Sequence, residues 1–185
     1  PIVVVIAVLG MIFFTLGNKK KKENDGKVKT RDRAAVVREA NRRLSQNPRD
    51  AEALKSLADV YYQEEEFDKS LKSFEILIDL CATNKELDEF GITLKYAVSA
   101  LKTKHLKEAY KSFVIARTMR QDVFEINYNL GVLEYHRGNF EKSAALLSQA
   151  QISQADHPDT LKYFGLSLFR IKRYDEAAKN LRRAL

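Results

Sequence analysis

Residues 124–150 read FEINYNLGVLEYHRGNFEKSAALLSQA, and residues 158–184 read PDTLKYFGLSLFRIKRYDEAAKNLRRA. Laid over one another at a step of 34, they agree at chosen places: Leu130-Gly131 over Phe164-Gly165, Phe140 over Tyr174, Ser143 over Ala177, Leu147 over Leu181, Ala150 over Ala184. One step earlier the same places hold Tyr96-Ala97, Leu106, Ala109, Phe113 and Ala116. Before that stand Leu57-Ala58, Phe67, Ser70, Phe74 and Leu77, displaced by 39 because Lys85 to Glu89 are extra. Large and small side chains alternate here at helical spacing. The small ones let two antiparallel helices approach, and the large ones fill the space between neighbouring units. With only 7 Gly and 3 Pro in 185 residues there is little punctuation for the turns of an all-β fold, so the class is all-α. No sustained heptad supports a coiled coil.

The pattern resembles the tetratricopeptide repeat over residues 51–185: large-small in a first helix, then large, small, large, small in a second. The resemblance implies an antiparallel helix-pair solenoid of units at 51–84, 90–123, 124–157 and 158–185, the last shortened at its end. Glu134 departs from it, standing where an aromatic is usual and where Tyr61 stands in the first unit, so the third unit is expected to pack more loosely. Residues 31–48, closed by Asn47-Pro48, read as a lone capping helix on the first unit.

Upstream the chain changes character. Residues 1–17, PIVVVIAVLGMIFFTLG, carry no charge and stop at Lys19, Lys20, Lys21 and Lys22. They are expected to form a transmembrane anchor. A 17-residue helix spans about 25 Å, a turn short of a ~30 Å hydrocarbon core, so a few residues are expected to precede Pro1. A cleaved signal peptide is the rival, but Thr15-Leu16-Gly17-Asn18-Lys19 offers a poor cleavage site. The four lysines favour keeping the repeats on the cytoplasmic face of an inner membrane, with an extracytoplasmic or periplasmic array as the alternative. The same lysines are candidates for the membrane surface. Residues 18–30, with Val28 as the one apolar side chain, form a basic flexible linker.

Residues 18 to 43 hold eleven Lys/Arg against four acids, which accounts for the whole formal charge of +7; beyond Arg43 the two signs balance. The folded part therefore has no net field for a polyanion, which argues against nucleic acid. Cys81 is the single cysteine, so there is no intramolecular disulfide and no CxxC pair. His105, His136 and His157 are dispersed, and no glycine-rich phosphate loop is present. Neither a catalytic set nor a metal site emerges, and no cofactor is expected.

Function is placed instead on the concave face, which in the family is lined mainly by first helices. Projecting the register onto it selects Lys55, Asp59 and Tyr62, then Lys95 and Val98, then Tyr128, Asn129, Tyr135 and His136, then Lys162, Tyr163, Leu166 and Arg170. Rings beside cations and an amide suit a peptide or helix of a partner protein; alternatively some of these tyrosines only pack between units. Family members that grip a terminal carboxylate use Asn where Asp59 and Lys95 stand, so that mode is disfavoured. Ala178, Leu181 and Leu185 are expected to be left partly bare, to be covered by further chain, a partner or a second copy. The expectation is a membrane-anchored adaptor or scaffold, not an enzyme, similar in architecture to bacterial anchored repeat proteins of envelope, secretion or motility assemblies. The alternatives are a structural subunit of such an assembly, using its ends and convex surface, and a regulatory module of an enzyme.

Overall fold

Asn47 and Pro48 end one helix, and Asp50 begins the next. In the computed structural model, which describes residues 32–185, the chain is helical over 32–46 (α1). Asp50 then caps α2 (Ala51–Gln63), its Oδ1 accepting the Ala53 amide at 3.0 Å. The Arg43 guanidinium donates to both Asp50 carboxylate oxygens, at 2.8 and 2.7 Å, which ties α1 to the α2 cap. Ala40 of α1 is buried with Ala53 and Leu57, so residues 32–46 pack against the first pair.

Seven more helices follow: α3 (Phe67–Cys81), α4 (Glu89–Lys102), α5 (Leu106–Met119), α6 (Phe124–His136), α7 (Phe140–Ser153), α8 (Pro158–Arg170) and α9 (Tyr174–Arg183). Among the described residues there is no strand. Each even-numbered helix pairs with the odd-numbered one after it, and successive pairs stack into a solenoid. The core runs as a string of apolar clusters, centred on Phe74 and Leu77, on Phe113 and Ile126, and on Leu147 and Leu168. No cluster belongs to one helix, and burial of this kind contributes roughly 25 cal/mol per Å².

The repeat is written into the backbone as well. Glu65, Lys104, Gly138 and Lys172 all have positive φ, at 58°, 64°, 81° and 65°, and stand at the same register in the four intra-pair turns. Only Gly138 takes that conformation without steric cost.

Small residues set how closely successive pairs approach. Ser70 and Ser99 meet at 2.9 Å, and Ser143 and Ser167 at 2.8 Å, all fully buried. At the middle junction the same places hold Ala109 and Leu133, and the bulkier Leu133 keeps α5 and α6 apart; their backbones meet more sparsely. Polar side chains bridge the difference. Arg117 donates to Asn127 at 2.9 Å and to Gln149 at 2.7 Å, beside an open hollow of about 200 Å³.

Glu134 overturns the expectation of loose packing in the third unit. Its side chain is fully buried and accepts from Tyr110 Oη at 2.7 Å, Asn139 Nδ2 at 2.6 Å and Lys142 Nζ at 2.5 Å. Burial alone would raise this carboxyl, but the bonds from Asn139, Lys142 and Tyr110 outweigh it and hold it below the usual value. A buried acid with three donors thus stands in the aromatic's place with its polar atoms satisfied.

Among the described residues no helix is long and apolar enough to cross a membrane. The expected anchor at 1–17, the linker at 18–30 and the cluster Lys19 to Lys22 lie outside the described residues.

Candidate partner-binding face

The first helices of the pairs, α2, α4, α6 and α8, follow one another along one side of the array, and α6 meets α8 directly. On α6, Phe124 and Tyr128 lie one helical turn apart and stack, with centroids 5.7 Å apart and planes 6° from parallel. His157, at the start of α8, sets its edge against both, at 4.9 and 5.2 Å. Its position is fixed because Nδ1 caps α8 by accepting the Thr160 amide at 3.2 Å.

Two turns along, Tyr135 makes edge contacts with His136 at 5.6 Å, Phe140 at 5.5 Å and Tyr163 at 5.5 Å, and His136 reaches Tyr163 at 5.8 Å. Arg170 lies 4.1 Å over Phe140, and Lys162 lies 5.7 Å over Tyr163. Leu166 is half-buried beside them. The structure thus brings Tyr135, His136, Lys162, Tyr163 and Arg170 into one aromatic-cationic group and sets Tyr128 in a second, with Phe124 and His157, on the same two helices.

The α2 and α4 side differs. Lys95 donates to Asp59 at 2.6 Å, so these two groove charges satisfy one another across the helices. Tyr62 lies edge-on to Phe67 at 5.8 Å and Phe74 at 6.1 Å, and it belongs as much to the core as to the surface. Burial, with the negative charge of Glu125 second, pushes its phenol up to about 12. Lys55 is exposed and has no partner among the described residues. Val98 is not a groove residue: it is 7% exposed, within a core cluster shared by α4, α5, α6 and α7, onto which Tyr62 of the preceding pair also packs. Asn129 is half-buried and donates its amide to the Glu125 carbonyl at 2.8 Å, within its own helix.

Reading the residues alone missed four participants, Phe124, Glu125, Phe140 and His157. Three of them open helices or cap them and so look like punctuation. Glu125 looks like an ordinary first-turn acid complementing a helix dipole. In place, its carboxyl is half-buried, has no hydrogen-bond or ion-pair partner among the described residues, and is pushed up by burial.

With this geometry established, the comparison with known families is decisive for class. The tetratricopeptide repeat model matches residues 29–85 and 94–160. This chain belongs to the tetratricopeptide repeat family. No curated protein matches its sequence. Among solved structures, the repeat array is similar to MamA, with a TM-score of 0.69 at 17% identity over 86% of this chain and 91% of that one. A form of MamA from Desulfovibrio magneticus RS-1, residues 41 to the end, gives 0.67 at 14% identity over 82% and 83%. YrrB, described as a TPR protein with an unusual peptide-binding site, gives 0.70 at 15% identity over 84% and 77%. At such identities the likeness is one of fold. It leaves the ligand of this array to its own residues.

Proposed function

We propose that this protein is a non-catalytic adaptor that takes an extended segment or helix of a partner protein onto the first-helix face. The observation carrying the reading is the pair of ring groups that α6 and α8 bring together, Tyr128 against His157, and Tyr135 and His136 against Tyr163. Rigid rings bury much apolar area at small entropic cost, while Asn129, His136 and Lys162 at their borders supply polar contacts. That YrrB is described as binding peptide makes the same use reasonable here. The reading extends to the membrane. An uncharged run at 1–17 followed by Lys19 to Lys22 suits an anchor with its downstream side in the cytoplasm, with the extracytoplasmic orientation as the alternative. The adaptor would then hold its partner at a bilayer.

In-cell crosslinking from photoreactive residues at Tyr128 and Tyr163, followed by mass spectrometry, tests the face. A discrete protein captured at both sites supports the adaptor. Capture at neither, with capture from the outer face instead, sinks it. Carbonate extraction of membranes tests the anchor: recovery of the chain in the soluble fraction would refute it.

A second reading, a structural subunit held by its outer face, is favoured by one observation. Val114, Ile115 and Met119 on α5 are exposed side by side, Ile115 at 50%.

A further inference from the structure

Of the binding-face charges named above, all have a place in the fold except Lys55 and Glu125. Lys95 is paired with Asp59, Arg170 lies over Phe140, and Lys162 lies over Tyr163. Lys55 stands exposed at the α2 end. Glu125 stands in the middle of the face, at the start of α6, half-buried and without a partner among the described residues. Its surroundings are aromatic. Phe124 and Tyr128 stack beside it on α6, and Tyr62, which leans onto the α4 and α6 cluster, feels its charge. Burial pushes this carboxyl up, and among the described residues no cation offsets it.

Contrast this with Glu134, which is buried more deeply yet has three donors around it. A solenoid that provides so completely for one acid and leaves another partly desolvated among rings has a vacancy for a cation. An ammonium or guanidinium entering there would gain the carboxylate as an ion-pair partner and aromatic faces on its flanks.

We propose that Glu125 receives a lysine or arginine side chain of the bound protein segment, so that the partner of this face is a basic-aromatic or basic-apolar sequence. This inference rests on the binding-face reading above and specifies its chemistry. The positive total charge of the chain does not oppose it, since that charge lies within residues 18 to 43 and the rest is balanced.

The test selects peptides from a randomised dodecapeptide display library against the full chain. Selected peptides are resynthesised and titrated against wild type, E125Q, E125K and the face variants Y163A and L166R. The expected result is enrichment of Lys or Arg, a loss of affinity on the order of tenfold in E125Q, and a switch of the selected sequences toward Asp and Glu in E125K. Peptides that lose binding in Y163A and L166R, but carry no basic enrichment and bind E125Q as tightly as wild type, overturn the assignment of Glu125 and leave the face intact. Peptides indifferent to Y163A and L166R overturn the face itself, and this inference with it. E125Q keeps the side chain's shape and removes a desolvated charge, so it is expected to fold at least as well as wild type.

Discussion

Replacing Gly131 by Ala places a Cβ 2.6 Å from Leu147 Cγ and 2.8 Å from its Cδ2. Leu147 is fully buried within the cluster of Phe164 and Leu168, so it has nowhere to turn. Two effects oppose each other. Alanine improves a helix interior by about 1 kcal/mol over glycine, while overpacking a closed core costs about 1–3 kcal/mol. For G131A the overlap is severe and the neighbour immobile, so a net destabilisation of about 1–2 kcal/mol is expected. Gly165, its counterpart one repeat on, provides the control. A Cβ there meets Leu181 Cγ at 2.7 Å, but Leu181 is only half-buried and can swing outward. The Cβ also comes within 3.2 Å of the Ala177 carbonyl oxygen, which cannot swing away, so G165A should destabilise, but by less than G131A. Urea unfolding followed by far-ultraviolet circular dichroism measures both, with midpoints compared because repeat arrays need not unfold in two states. Adding Leu147→Ala closes the cycle. The double variant should be less destabilised than the two single changes together, since the space vacated by Leu147 admits the new methyl. A G131A protein as stable as wild type, or a cycle with no coupling, would refute the packing described for α6 and α7.

Gly138 separates backbone strain from crowding: a Cβ there meets nothing within 4 Å, yet φ is +81°, so G138A should cost about 1 kcal/mol, read as a lower urea midpoint. Glu134→Gln removes the charge that Lys142 and Tyr110 serve and should destabilise by about 1–3 kcal/mol in the same assay. Because burial is outweighed by bonds from Asn139, Lys142 and Tyr110, the folded carboxyl lies below its usual 4.5. Its contribution is thus complete above that pH and lost as pH falls through the lower folded value, so E134Q should flatten this part of the acid-unfolding curve. Lys95→Glu sets two carboxylates against each other and should lower thermal stability slightly, by about 1 kcal/mol or less, whereas Lys55→Glu should leave the melting temperature unchanged and alter only ligand binding.

Much of this architecture was legible because repetition averages out local ambiguity. Phe74, Phe113 and Leu147 occupy one register place and all three are fully buried; Ala58, Ala97 and Gly131 occupy another at which helices touch. The lone helix before Pro48 was read from its closing Asn47-Pro48 rather than from the period, and its Ala40 stands where later second helices carry Phe74, Phe113 and Leu147. The face was legible only as a set of positions. That Lys95 would pair with Asp59, 36 residues away, depends on how far one helix rotates against the next, and the period does not contain that angle. Val98 was misplaced for a related reason: its burial comes from a cluster shared with other units, which the register of one helix does not show. Glu134 read as a defect because a single position does not announce its donors, which come from α5, α7 and the turn between α6 and α7.

The buried hydroxyls at the last junction invite a count of protons. Ser143 approaches the Gly131 carbonyl at 2.8 Å, Ser167 approaches the Tyr163 carbonyl at 2.8 Å, and the two hydroxyls face each other at 2.8 Å. Two hydrogens serve three contacts. Either Ser143 donates to Gly131 and Ser167 to Ser143, or Ser143 donates to Ser167 and Ser167 to Tyr163, and the two arrangements are nearly equivalent. Removing one hydroxyl therefore strands no donor, since the survivor keeps its carbonyl. What the position enforces is volume, and Ala109 and Ala177 satisfy it at the same register with no hydroxyl at all. Such a place can exchange serine for alanine over generations while the spacing of the helices, and with it the shape of the binding face, stays fixed.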